Sequence, residues 1–203
     1  MLGKVLGVGL ALFVLSGCAL TTYEAEIALD PSALGKSPLS TIEPLKVKIM
    51  VTDHRPAEER DKIGQKKNGV GMELAPVVCK GEATQILADA LGAEFSQNGH
   101  QVVEANSAAA QLLVQVDLNR FYSDMKMGMW DIKLTGIIST QVKLLRANDN
   151  FELISEPINS TAMRSEPAGS GGGMERALND ALLEFVRNFS RDPAIVGAMR
   201  GIK

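Results

Sequence analysis

Two cysteines, two histidines and one tryptophan are all that 203 residues hold of those types, and aromatic residues make up only 4% of the chain. Each scarcity removes a class of function. With Cys18 and Cys79 as the only cysteines, a disulfide framework and a cysteine-rich zinc site are both out of reach. His54 and His100 stand in no metal-ligand spacing with each other or with a cysteine, so no metal and no cofactor is expected. Neither lies near a nucleophile setting such as Gly-x-Ser-x-Gly. No catalytic residue is named, and the chain reads as a non-enzyme. Lys and Arg number 21 against 24 Asp and Glu, for a formal charge of −3. Nucleic-acid surfaces carry a basic excess, so nucleic acid is not an expected partner.

Long apolar runs are lacking too, apart from residues 5–15, which follow Lys4. That run is too short to span a bilayer, which takes about 20 residues. A basic start, an apolar run and the small residues Ser16 and Gly17 are the parts of a secretory signal. Cys18 sharpens the reading. Leu15-Ser16-Gly17-Cys18 resembles the lipobox of bacterial lipoproteins, which implies cleavage between Gly17 and Cys18 and attachment of lipid, palmitate included, to Cys18. One acyl chain holds a protein only marginally, whereas several anchor it stably without any spanning segment. An Asp after the cysteine resembles an inner-membrane retention signal; Ala19 in its place implies the outer membrane, on its periplasmic face. A membrane, reached through an N-terminal lipid anchor, is therefore an expected partner.

The domain plan is a signal peptide over residues 1–17, a lipidated cysteine and tether over 18–44, and one periplasmic domain over 45–203. A domain of that size buries about 70% of its unfolded surface and needs no disulfide or metal. Cys79, left unpaired, is expected to be buried like most free cysteines.

Pro31, Pro38 and Pro44 among Ser, Thr and Gly give the tether its character, although residues 23–29 alternate weakly, as an edge strand would. Residues 45–52 alternate cleanly, with Leu45, Val47, Ile49 and Val51 on one face. The charged stretch 57–71 reads as an exposed, hairpin-like excursion, and residues 72–79 as a short strand that Pro76 demotes towards an edge. Ala83, Ile86, Leu87, Ala90, Leu91 and Phe95 recur at helical spacing over 82–98, with Glu94 out of character. A strand over 101–104 follows. In the second half, strands over 111–122 and 130–145 flank a turn near Ser123-Asp124. Residues 151–164 return as a strand interrupted at Pro157. Residues 165–173 read as a Gly-rich loop, and an amphipathic helix over 174–189 closes the domain. Asp192-Pro193 then opens a short tail helix. The fold class is α+β: a two-layer domain with two helices packed on one face of a mixed, mostly antiparallel sheet.

In this order of elements the chain resembles the YajG-like family of uncharacterised bacterial lipoproteins. The resemblance is carried by the lipobox, by Val51-Thr52-Asp53-His54-Arg55, by Ile63-Gly64, by Asn98-Gly99-His100-Gln101-Val102-Val103 and by the tail over residues 182–195. It implies an outer-membrane-type lipoprotein and no defined chemistry.

Three features remain as candidate sites. The run Gly169-Ser170-Gly171-Gly172-Gly173 precedes a helix, but a phosphate loop needs Gly-Lys-Ser/Thr and here Met174-Glu175 follows, so it reads as linker. The charged residues 58–67 form a solvated face or a protein contact. Met125, Met127, Met129 and Trp130 cluster at a strand entry, as core or, if exposed, as an adaptable apolar patch; Met127, Met129 and Trp130 are the candidate partner contacts. The expected function is that of a lipid-anchored, non-enzymatic accessory or assembly subunit that binds another envelope protein. Its contact surface would be the sheet face carrying Asp131, Lys133 and Gln141, or the Met-Trp corner. The alternative is a lipid- or amphiphile-binding module with a cavity lined by Ile86, Leu91, Trp130, Ile138 and Leu182.

Overall fold

The longest strand is the axis of the sheet. In the computed structural model, which describes residues 21–104, 106–128, 131–166 and 171–202, strand β6 spans Leu112–Met127 and pairs along its whole length with β7, Ile132–Arg146. Strand β8, Phe151–Glu166, closes that side as an edge. The other side of β6 is shared. Its first half pairs in parallel with β2, Lys46–Asp53, which is followed outward by β5, Gln101–Val102. Its second half meets β3, Lys62–Lys67, where Gly64 lies opposite Ser123. Outside β3 come β4, Glu73–Cys79, and the short β1, Tyr23–Ala25. The eight-stranded sheet is therefore mixed and forks on one side of β6, and its two longest ladders are antiparallel.

Helix α1, Ala83–Gln97, packs on β2 and β5; α2, Gly171–Arg191, packs on β6, β7 and β8; the short α3, Pro193–Arg200, sits against α2 and β8. These helices share one face of the sheet. The apolar stripe of α2 is buried from Met174 through Ala177, Leu178, Ala181, Leu182, Phe185 and Phe189. Burial of each large side chain contributes about 1.5–3 kcal/mol. Phe95 of α1 meets Phe189 of α2 edge-on at 5.6 Å between ring centroids. Asp192 caps α3 by accepting from the N–H groups of Ala194 and Ile195, with Pro193 at the first helical position. Among the described residues no helix is long and apolar enough to cross a membrane.

Several elements differ from the sequence expectation, each for a physical reason. The strand expected to turn near Ser123-Asp124 runs on to Met127. A bulge between Leu118 and Arg120 shifts the alternation by one, so that Phe121, Ser123 and Met125 take over the buried face. β8 is continuous through Pro157, which an edge strand tolerates because its outer side has no ladder to lose. Inside the charged stretch 57–71, Ile63, Gly64 and Gln65 are buried, and β3 lies within the sheet rather than as an exposed excursion. β4 is not an edge strand either, although β1 pairs only with Val77 to Cys79 and leaves Pro76 beyond its reach.

The largest difference concerns the stretch expected as tether. Residues 23–44 lie across the helices as a strap, with Ala25, Ile27, Leu34, Leu39 and Ile42 buried. After β1 leaves the sheet, α2 supplies the strap's hydrogen-bond acceptors from two side chains one turn apart. The Glu26 N–H donates to Glu175 Oε2 at 3.0 Å and the Ala28 N–H to Asn179 Oδ1 at 3.1 Å. At the end of α1, Lys36 donates to the Gln97 carbonyl and the Ser37 N–H to Asn98 Oδ1. The prolines and small polar residues of the strap serve two 3-10 turns, Pro31–Ala33 and Pro38–Thr41, each with its Pro at the first position.

Candidate functional site

Because α1, α2 and α3 all lie on one side of it, the opposite side of the described sheet faces outward. Its residues are Lys46, Met50 and Thr52 on β2, and Gln115, Asp117, Arg120 and Tyr122 on β6. β7 contributes Lys133, Ile137, Gln141 and Lys143, and β8 contributes Ser155, Pro157, Asn159, Thr161 and Met163. The β8 residues of this face are all exposed, as are Lys46, Met50, Thr52, Arg120 and Lys133. Of the apolar ones, Met163 is 70% exposed and Met50 44%. At the middle of the face Asp117 accepts a hydrogen bond from Lys143 at 3.1 Å and pairs with His54 Nε2 at 3.3 Å. Burial pushes the Asp117 carboxyl up, but the Lys143 and His54 contacts outweigh it and hold the group below the usual carboxylate range. Gln141 donates to Ser155 Oγ. Opposite charges, amides, hydroxyls and two exposed thioethers thus share one face.

The fork in the sheet is filled by Arg55, only 3% exposed. All five of its N–H donors are used. Asp53 takes two, at 3.0 and 2.7 Å, and the carbonyls of Glu59, Arg60 and Phe121 take the rest. The guanidinium also lies 5.9 Å over the Phe121 ring. Burial raises the Asp53 pKa, and the Arg55 hydrogen bonds with the Arg55 and Arg60 charges more than reverse it. Asp53 and Arg55, two residues apart, thus brace the loop that follows β2. A polar cleft of about 350 Å³ opens beside the cluster, lined by Asp53, Arg55, Arg60, Asp61, Glu82 and the first residues of α1. Its acidic and basic side chains are near balance, so it presents no field of one sign.

The two histidines are apart. His54 is exposed and pairs with Asp117, not with its neighbour Asp53. His100 is buried, with its Nδ1 accepting from the Leu45 N–H at 3.1 Å and its Nε2 facing the Leu39 carbonyl at 3.2 Å. That pairing places the ring proton on Nε2. Burial holds the imidazole below its ordinary pKa, and the ring staples the strap to the start of β2. Cys79 is half-buried and its thiol is pushed up to about 11 by burial, with Arg55 lowering it in part; it is a poor nucleophile at neutral pH. Among the described residues no cluster of His, Cys, Asp and Glu could hold a metal ion.

The model of an uncharacterized lipoprotein family, Lipoprotein_16, matches residues 37–200. The chain belongs to that family. It is the YajG-like group that the lipobox and strand motifs resemble. Among solved structures, the lipoprotein is similar to protein XCC0632 from Xanthomonas campestris, at 17% identity over 87% of this chain and 96% of that one, with a TM-score of 0.61. A second, an uncharacterized protein, gives 12% identity over 84% and 97% of the two chains and a TM-score of 0.52. At these identities the likeness shows the fold. A looser likeness, to lipoprotein GNA1162 from Neisseria meningitidis, has 11% identity over 71% and 99% of the chains and a TM-score of 0.38. No curated protein matches the sequence.

Family membership makes the chain a bacterial lipoprotein, a class defined by a lipid anchor. The residues that would carry the anchor, Gly17 and Cys18, lie outside the described residues, as do Met129 and Trp130 of the expected contact corner. Met127 is half-buried and packs against the core, and Met125 is buried. Of the sheet-face trio, Lys133 is exposed and Gln141 half-buried on the outward face, while Asp131 sits in the β6–β7 turn and accepts from Ser165 Oγ. Of the residues named for a ligand cavity, Leu91, Ile138 and Leu182 are fully buried in the core. Ile86 lines a separate apolar groove of about 200 Å³ with Ile27, Leu29 and Pro31 of the strap. The loop expected over residues 165–173 is not one loop, since Ser165 and Glu166 end β8 and Gly171 to Gly173 begin α2, whose Glu175 accepts from the Tyr23 hydroxyl and the strap backbone rather than facing an anion. Two features escaped the sequence reading. Gly136 lets α2 approach the sheet so closely that a Cβ there would run into the Ala177 carbonyl; a lone glycine in a strand pattern was its signal. Burial of residues 27–42 had only a sparse, aperiodic apolar pattern to announce it.

Proposed function

We propose that the lipoprotein is a non-enzymatic accessory protein of the cell envelope. Lipid on Cys18 holds it at the periplasmic face of the outer membrane, and the outward face of the sheet binds another envelope protein. One observation carries this reading. The face formed by β2, β6, β7 and β8 mixes exposed Met50 and Met163 with Lys143, Asp117, Gln141 and exposed hydroxyl and amide groups, the composition of a protein contact rather than of a reaction centre. Thioethers adapt to irregular partner surfaces, and the charged pairs give orientation. The amphiphile-binding alternative is less well supported, since the groove at Ile86 holds about 200 Å³, below the range of roughly 300–1,000 Å³ for small-molecule sites. Photoreactive residues placed at Met50 and at Thr161 in the lipidated protein should each trap the same discrete protein in envelope membranes, while one at Gln85 on the exposed side of α1 should not. Lipid adducts at both positions, or adducts identical to those from Gln85, would overturn the reading.

A further inference from the structure

One end of the domain gathers the start of the chain, a hairpin tip and the lysines Lys66, Lys67, Lys126 and Lys133. β1 runs parallel to β4 with Tyr23 beside Val77, so the chain entering β1 comes from the direction of the β3–β4 hairpin. At that entry Lys66 Nζ donates to the Thr21 carbonyl at 2.8 Å and lies 5.8 Å from the Tyr23 ring. Cys18 precedes Thr21 by three residues, a reach of about 11 Å at most. Counted along the chain, Cys18 is as far from Tyr23 as Met72 is from Val77. The hairpin tip therefore lies within reach of the cysteine.

The tip itself is held rigid with its apolar side chains outward. Asn68 Oδ1 accepts from the N–H groups of Val70 and Met72, the Asn68 N–H donates to the Met72 carbonyl, and Gly71 takes the left-handed conformation at φ 83°. This leaves Val70 80% and Met72 61% exposed. A loop fixed by hydrogen bonds so as to hold two apolar side chains in water loses free energy unless something apolar meets them. Glu73 beside the tip faces Lys67 across the hairpin. Lys67 also reaches across to Asp124 and the Met125 carbonyl of β6, which ends at the same side. There Lys126 stands directly opposite Lys133 in the β6–β7 ladder, both exposed. Like charges directly opposite one another destabilise a ladder, and an anionic surface removes that cost.

We propose that Val70, Met72 and the Lys126–Lys133 pair form a second membrane contact beside the lipid anchor. The two apolar side chains enter the headgroup region and the lysines face anionic phospholipid. The proposal rests on the reading that Cys18 is the anchor, which sets this end against the bilayer; the chemistry of the contact is its own. Apolar insertion with basic flanks is the general form of interfacial binding.

The test uses the mature chain from residue 18 carrying Cys18→Ser, which has no lipid and keeps the core, whose buried residues run from Ala25 to Met199. It is sedimented with vesicles of phosphatidylcholine containing about one third phosphatidylglycerol, and with vesicles of phosphatidylcholine alone. Binding is expected to the anionic vesicles only, and to weaken as salt is raised. The pair Val70→Asp and Met72→Asp, and separately Lys126→Glu with Lys133→Glu, should each weaken it about tenfold or more. Asn148→Asp at the opposite end should leave it unchanged. No binding to anionic vesicles, or binding that both double variants retain, would overturn the proposal. So would a photoreactive residue at position 70 that traps a discrete protein in cells instead of lipid. Failure of the anchor reading is scored apart, by the mass of the full chain after export, since the vesicle assay contains no acyl chain.

Discussion

A buried imidazole that bonds through both nitrogens fixes two pieces of chain at once. His100 takes the Leu45 N–H on Nδ1 and faces the Leu39 carbonyl with Nε2. Protonation would put a hydrogen on Nδ1 and turn the Leu45 N–H away. Burial lowers the pKa of the ring from its ordinary 6.5, so as pH falls the unfolded chain takes up the proton first. His100 therefore adds stability in full above about pH 6.5 and loses it progressively as pH falls from there through the folded pKa. His100→Asn should lower the melting temperature at pH 7.5. The further drop between pH 7.5 and 5.5, read by thermal denaturation, should be smaller in the variant than in the wild type; equal drops would remove the staple. Arg55 obeys the same logic of complete pairing, since a buried guanidinium stripped of a partner is strongly destabilising. Asp53 and Arg55, two apart on a strand end, made their pairing legible in the sequence. The partners of His100 were not legible, because both are backbone groups distant in the chain.

At the scale of elements, legibility followed periodicity. The α2 stripe, the alternation of β2 and β7, and the Asp192-Pro193 cap could be read directly, because each buries a regular face or sets a local dihedral angle. The end of β6 could not, since the bulge at Asn119 resets the alternation without a glycine to mark it. The strap has the sequence character of a tether because 3-10 turns and extended chain bury isolated side chains at no fixed period. Its energetic weight can be measured at Leu39, which has no exposed surface. Leu39→Ala should cost about 2–5 kcal/mol through lost burial and the cavity left behind. In a domain of this size that lowers the melting temperature by roughly 5–15 °C. A free tether would show no change, so a shift under one degree would contradict the docking of residues 23–44. The same substitution should leave export and acylation as they are, because Leu39 lies far from residues 15–18 in the chain.

At the scale of the whole molecule, the docked strap changes what the anchor does. With β1 starting at Tyr23, few residues would separate a lipid on Cys18 from the folded domain. The proposed anchor and tip contact would then hold the domain close to the bilayer with its long strands leading away from it, the turn after β7 standing about 50 Å from the tip end at the rise of an extended strand. A short link of this kind raises the effective concentration of the sheet face for a partner in the same membrane, so a weak contact suffices. Two contributions to membrane binding of very different strength follow. Several acyl chains on one cysteine hold essentially permanently, whereas a contact of two apolar side chains and a few lysines is reversible and screened by salt. The mature sequence exported behind an ordinary secretory signal with Cys18→Ala should incorporate no labelled palmitate. It should stay partly with membranes at low ionic strength and move wholly to the soluble fraction after a wash at about 1 M salt, where the Debye length is about 3 Å. The wild-type lipoprotein should resist the same wash and leave the membrane only in detergent. Palmitate label on the Cys18→Ala chain, or wild-type protein released by salt, would rule out Cys18 as the anchor.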